Sequence, residues 1–222
     1  KLVISTIHKA EYGRDYVLKI VFLDIDGVIL NTKSTWQSIH EALNTIKDRR
    51  LEKYRSDFFS GKIPYQEWAD LEASLWRGTP YLTVEEAVMS IPFIPGAEYT
   101  VRKLLEKGIE VIALSSGIPL KTLSIKLGGL GLKNILANDL VLDGALVSGK
   151  VSVLVPYNGK RRLVEEILNI REVSYSDCCI IGDGENDIPL FELIDNSVAF
   201  NTDNKLVKAK AKYVSESTNL KD

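Results

Sequence analysis

Apolar residues along this chain change their spacing in ways that divide it into parts. From residue 93 onward, short apolar runs alternate with stretches whose apolar positions recur every three or four residues. In "PGAEYTVRKLLEKG", Val101, Leu104 and Leu105 share one helical face and Gly108 marks the stop, after which "IEVIAL" reads as a strand. The order repeats: "GKRRLVEEIL" helix, "CCII" strand, "IPLFELI" helix, "SVAF" strand. An earlier apolar run, "VFLDIDGVIL" at residues 21–30, supplies the first strand of the set. Strands alternating with helices in this way predict an α/β fold, a parallel sheet with helices on both faces. Within "NDLVLDGALVSGKVSVLV", the turn pairs Asp143-Gly144 and Ser148-Gly149 between strand-like runs predict a hairpin excursion.

Residues 32–92 follow a helical rhythm instead. Trp36, Ile39, Leu43 and Ile46 form one stripe; Pro64 opens a second helix carrying Tyr65, Trp68, Leu71 and Leu75, with Gly78 closing it. Thr83 and Glu86 have the spacing of a capping box for a third. The expected organisation is a core of residues 1–31 and 93–222 with a helical cap of residues 32–92 inserted after the first strand. Ahead of that strand, "LVIST" and "YVLKI" within residues 1–18 are expected to pair as an extra hairpin.

Composition narrows the function. The 28 basic and 30 acidic residues leave a net charge of -2, so the polycationic field that binds a phosphate backbone is missing and nucleic acid is not expected as partner. No apolar stretch reaches the roughly 20 residues of a membrane span, and no signal-peptide pattern opens the sequence, so no membrane association and a cytoplasmic location are expected. Cys178 and Cys179 are adjacent in an apolar run, where a bridge would be strained, and are expected as reduced core residues.

The chemistry begins in the first strand, where Asp24 and Asp26 stand one residue apart at an apolar strand's end. Burying such a pair is costly unless something compensates the charge. A second acidic group, Asp183 to Asp187 in "GDGENDIPL", follows another strand, and parallel strands bring their carboxyl ends to one edge. Carboxylates meeting without histidine or cysteine call for a hard cation, and Mg2+ fits best. Two further strand ends offer phosphate contacts: Ser115 and Ser116 in "VIALSSG", and Lys160 at the start of a helix. Taken singly, such a serine is a helix cap and such a lysine a solvated side chain.

The ordered set "DIDGV", "LSSG", Lys160 and "GDGEND" resembles the four motifs of the haloacid dehalogenase superfamily of phosphohydrolases, and within it the phosphoserine phosphatase-like branch. The resemblance implies a Rossmann-like core and a Mg2+-dependent phosphatase acting on a small-molecule phosphate ester, as a monomer or homodimer. It makes Asp24 the nucleophile and Asp26 the acid/base, with Asp24, Asp183 and the Asp26 backbone carbonyl holding the metal. It gives Ser115, the N–H of Ser116 or Gly117, Lys160 and Asn186 to the phosphate, and makes Asp187 a support pairing Lys160. A phosphotransferase using the same aspartyl-phosphate, or a non-catalytic phospho-ligand sensor, remains open beside it.

The sequence departs from that pattern in places. Val28 stands where threonine is common in the family, and Lys33 where phosphoserine phosphatases tend to carry a glutamate for the substrate amine. Lysine there would repel an ammonium. Arg77 is read either as the counterpart of a cap arginine that binds the substrate carboxylate or as an exposed helix-end residue. Trp36, Trp68 and Trp76 either line a pocket or pack the cap's own interior.

Overall fold

The computed structural model describes residues 18–222. Strand β1 (Ile20–Leu23) is buried along its whole length, as a central parallel strand must be. Four helices follow within residues 32–92: α1 (Thr35–Ala42), α2 (Arg49–Phe59), α3 (Tyr65–Ser74) and α4 (Tyr81–Met89). Then follow α5 (Ala97–Glu106), β2 (Glu110–Leu114), α6 (Leu120–Gly128), β3 (Asn134–Leu136), β4 (Asp139–Asp143) and β5 (Leu146–Ser152). The remainder comprises α7 (Lys160–Arg171), β6 (Cys178–Gly182), α8 (Ile188–Phe191), β7 (Ser197–Phe200), α9 (Lys205–Lys210) and β8 (Tyr213–Ser215).

Six strands form one parallel sheet in the order β3-β2-β1-β6-β7-β8, while β4 and β5 pair antiparallel as the separate hairpin that the turn residues predict. Alternation along each strand sorts its side chains between two cores. Val21, Leu23, Val111, Ala113 and Ile181 pack with Val101, Leu104 and Leu123 on one face. Ile20, Phe22, Ile112, Leu114 and Ile180 pack with Val164, Leu168 and Val207 on the other. The α/β class with helices on both faces is thus the observed fold. Cys178 and Cys179 are free and buried, and burial pushes their thiols up to about 11 and about 12, so both stay protonated and inert near neutral pH.

The chain leaves the sheet after β1 and returns beside its own exit, with Asn31 N–H donating to Pro92 at 2.8 Å and Ile94 N–H to Ile29 at 2.9 Å. Between these points α1–α4 stand over the sheet's carboxyl edge. The β4–β5 hairpin supports α3 from outside: Val151 N–H and Lys150 Nζ both bond Asp70, at 2.9 and 3.0 Å, and Gln66 donates to the Val151 carbonyl at 2.9 Å.

Several local expectations are corrected. Helix α1 ends at Ala42, leaving Ile46 outside the stripe and 39% exposed. Helix α2 was not expected: it has no buried residue, so no apolar periodicity announces it. Helix α3 ends at Ser74, before Gly78, and α4 starts at Tyr81 after Pro80, which places Thr83 inside the first turn rather than at a cap. The N-terminal hairpin expected before β1 lies outside the described residues.

Candidate active site

Because the sheet is parallel, the ends of β1, β2 and β6 open on one edge, and α7 starts there too. Asp24 extends the ladder beyond β1, its N–H donating to Ile181 at 2.9 Å, which fixes the carboxylate at the sheet edge only 5% exposed. Lys160, 1% exposed at the first turn of α7, reaches back to it: its Nζ lies 2.9 Å from Asp24 Oδ2 and 2.7 Å from Asp187 Oδ1. Asp187 is fully buried, and its other oxygen accepts the N–H groups of Asp183 and Gly184 at 3.2 and 3.1 Å. It is therefore saturated, a support that folds the 183–187 loop around the lysine.

Electrostatics follow from this crowding. Burial, then the charges of Asp187 and Asp183, push the Asp24 carboxyl well above the ordinary range, although Lys160 pulls the other way. Burial and the charge of Asp187 raise Asp183 to about 7. Burial opposes the charge on Lys160, yet Asp187 and Asp24 outweigh it and hold the ammonium more firmly than in water. Asp24, Asp26, Asp183 and Asp187 thus gather around a single lysine.

The donor set fits a hard divalent cation. Ligand oxygens of Asp24, Asp183 and Asp187 lie within 4.8 Å of one another. Asp24 and Asp183 line the cavity whereas Asp187 is fully buried beneath it, so Asp24 and Asp183 are the pair placed to share an ion. Gly27 makes room for that approach: with φ +75, it would bring a β-carbon to 2.1 Å from Asp183 Oδ2.

Asp26 is held differently. Its Oδ2 accepts the backbone N–H of Thr35 at 3.1 Å and the Thr35 hydroxyl at 3.3 Å, while Oδ1 is buried and has no hydrogen-bond partner among the described residues. Burial raises its carboxyl to about 6, with the Thr35 N–H and the charge of Lys160 moderating the shift. Thr35, fully buried as the first residue of α1, also accepts the Ile118 N–H at 3.1 Å and so joins α1, Asp26 and the loop after β2.

That loop departs in one respect from the sequence expectation. Ser115 and Ser116 lie in the cavity wall with Gly117, but the Gly117 N–H donates to Ser115 Oγ at 2.8 Å and is already committed. Gly117 contributes space instead, since a β-carbon there would sit 2.4 Å from Thr35 Oγ1 and 2.9 Å from Asp26 Oδ2. The Ser116 carbonyl accepts from Trp36 Nε1 at 3.1 Å, Tyr65 hydroxyl at 2.9 Å and Asn138 Nδ2 at 3.0 Å. Asn138, fully buried, further donates to the Val155 carbonyl at 3.0 Å and accepts the N–H groups of Leu154 and Val155 at 2.9 and 2.8 Å. One amide thereby ties the serine loop to the segment leading into Lys160.

Above this floor lies a cavity of about 660 Å³ between the sheet edge and α1–α3. Asp24, Asp26, Asp183, Asn186 and Lys33 all line it. Arg77 does not: it lies beside Gly149 in a separate groove outside α3, with Asp70 and Lys150, and the reading of it as a substrate-carboxylate ligand is corrected. The arginine on the cavity wall is Arg55, from the helix that escaped notice. Of the tryptophans, Trp36 and Trp68 line the cavity, whereas Trp76 is fully buried and donates to His40 Nδ1 at 3.1 Å. Val28 is fully buried, so threonine's hydroxyl has no counterpart there. Thr35, Arg55 and Asn138 were missed; only Asn138, a lone amide between two apolar runs, left a trace in the sequence.

A buried carboxylate thus pairs with a lysine at the carboxyl edge of a parallel sheet, under the helices that follow β1. The model of haloacid dehalogenase-like hydrolases matches residues 18–195, and the chain belongs to that family. It is 27% identical over 205 residues to the phosphoserine phosphatase of Methanocaldococcus jannaschii, covering 92% of this chain and 95% of the relative. The phosphoserine phosphatase of Streptomyces coelicolor is 28% identical over 142 residues, 64% of this chain and 34% of the relative. Among solved structures, a substrate-bound phosphoserine phosphatase complex superposes with a TM-score of 0.77 at 26% identity, covering 91% of this chain and 94% of that one. The likeness read from the four motifs therefore holds, and it supports the expected enzyme class, a phosphoric monoester hydrolase.

Replacing Asn138 with alanine leaves the buried Val155 N–H, the part-buried Leu154 N–H and two buried carbonyls with fewer partners. The Asn138→Ala variant is expected to lose roughly 2–4 kcal/mol in urea unfolding. A loss under about 1 kcal/mol would show that the two loops hold without it.

Proposed function

We propose that this protein is a Mg2+-dependent phosphatase that hydrolyses a small-molecule phosphate monoester through an aspartyl-phosphate on Asp24. The observation that carries the proposal is the buried Asp24–Lys160 pair, 2.9 Å apart, on the floor of a cavity that also holds an uncommitted Asp26 oxygen. In this reading residues 32–92 are a cap over a core of residues 1–31 and 93–222. Asp24, Asp183 and the Asp26 backbone carbonyl would hold Mg2+, which when bound supplies charge neutralisation for the phosphoryl oxygens.

A carboxylate is a weak nucleophile towards a phosphate dianion because like charges repel. Lys160 offsets that repulsion at the point of attack, and the Ser115 hydroxyl, the Ser116 N–H and Asn186 orient the phosphoryl oxygens. An Asp24 oxygen attacks phosphorus, the bond from phosphorus to the ester oxygen breaks, and the leaving alkoxide takes a proton from Asp26. In the second step Asp26 removes a proton from water as the water oxygen attacks phosphorus. Inorganic phosphate leaves and the Asp24 carboxylate is restored. Asp26 can serve both steps because Thr35 holds one of its oxygens while the other, also buried, has no partner among the described residues.

The Asp24→Asn variant is expected to lose activity on the order of a thousandfold or more while keeping its thermal midpoint within a few degrees; near-normal turnover would overturn the covalent route. EDTA should abolish phosphate release and added Mg2+ restore it, and restoration by Zn2+ alone would contradict the oxygen-donor argument. Thr35→Val should slow alkyl phosphates roughly tenfold but 4-nitrophenyl phosphate only about twofold, because a good leaving group needs little protonation. Thr35→Ser should recover the difference, whereas equal losses on both esters would mean that Thr35 merely stabilises the fold.

A further inference from the structure

The cavity above Asp24 has more room than a short zwitterion fills. At about 660 Å³ it has the capacity of sites that take drug-sized ligands. Its upper wall is aromatic, with Phe59, Tyr65, Trp68 and Tyr157 all on the lining. These rings form a braced platform. Phe58 stacks on Trp68 at 4.4 Å with planes 13° apart, and Tyr157 meets Phe58 and Phe59 edge-on at 6.0 and 5.5 Å. Tyr157 comes from the segment before α7 and the others from α2 and α3, so the platform joins the two sides of the cavity. Phe59 remains 53% exposed although it belongs to this cluster, and the buried Trp68 indole N–H has no acceptor among the described residues. Aromatic faces held rigid in this way favour a flat, unsaturated partner.

Charge on the same wall selects further. Lys33 and Arg55 line the cavity, and neither forms an ion pair with another described residue. Arg55 lies over the Phe59 ring at 5.6 Å, next to the platform. The acids on the wall are differently placed: Glu72 faces His40 Nε2 at 3.4 Å, Glu185 accepts from Asn204 at 2.8 Å, and Glu52 is exposed on α2. An ammonium beside Lys33 would be repelled, and Arg77 is too far outside to receive a carboxylate.

Resting on the phosphatase reading, we propose that this cavity selects phosphate monoesters of ring-bearing alcohols that carry a second anionic group, with the ring on the Phe59–Trp68 platform and the anion between Lys33 and Arg55. Phosphoserine, small and zwitterionic, is then a poor substrate.

Four esters separate the two features: 4-carboxyphenyl phosphate, phenyl phosphate, 3-phosphoglycerate and phosphoserine. Their kcat/KM values with Mg2+ and the unaltered chain are compared with their affinities for the Asp24→Asn variant, read from tryptophan fluorescence, which removes leaving-group effects. Expected is a lead of about tenfold or more in affinity for 4-carboxyphenyl phosphate over each of the other three. The Lys33→Glu and Arg55→Glu variants should shrink its advantage over phenyl phosphate to about twofold or less, because they act on the anion. Phe59→Ala, at a half-exposed position, should narrow its advantage over 3-phosphoglycerate. Phosphoserine binding as tightly as 4-carboxyphenyl phosphate would overturn the proposal, and so would unchanged ratios in the charge-reversed variants. If no ester is turned over but the binding order holds, the hydrolytic reading fails and the selectivity stands. If all four are hydrolysed with phosphoserine preferred, the reverse is true.

Discussion

A single buried ammonium decides whether this sheet edge can exist. Four carboxylates converge where water is scarce, and desolvation alone would drive them to protonate or push the loops apart. Lys160 prevents this by touching Asp24 and Asp187 together, as the one buried residue in the first turn of its helix. Burial, and after it the excess of negative charge, raises Asp24 and Asp183 above their ordinary range. A divalent cation bound there would relieve that excess. An edge with balanced charges would be more stable and would have no use for one.

Much of this was legible because a parallel sheet converts separate stretches of sequence into neighbours. Asp24, Ser115 and Asp183 each follow an apolar run, and once the runs are strands their ends must meet. Lys160 needed the resemblance to the family's four motifs, since a lysine at a helix start is ordinarily solvated. Periodicity was silent about α2, whose polar residues bury nothing, and so Arg55 on that helix was passed over in favour of Arg77. Thr35 was illegible, and Asn138 left no more than a trace, for another reason. Their roles lie in hydrogen bonds to residues far along the chain, and the spacing of one sequence carries no record of those partners.

Family membership and cavity chemistry answer different questions. This chain is related to phosphoserine phosphatases at 27% identity, and its lysine and aspartates lie together at the sheet edge. The inserted helices face the rest of the cavity. There the chain places Lys33, Arg55 and a bank of rings, so conserving the reaction does not oblige it to conserve the alcohol.

The Ser116 carbonyl is one acceptor shared between the helices and the sheet edge. Trp36 and Tyr65 reach it from the helical side, whereas Asn138 reaches it from the sheet side. Lifting the helices away must sever the first two contacts and can spare the third, so the oxygen keeps a partner throughout. A separation at this point would therefore leave no buried acceptor stranded.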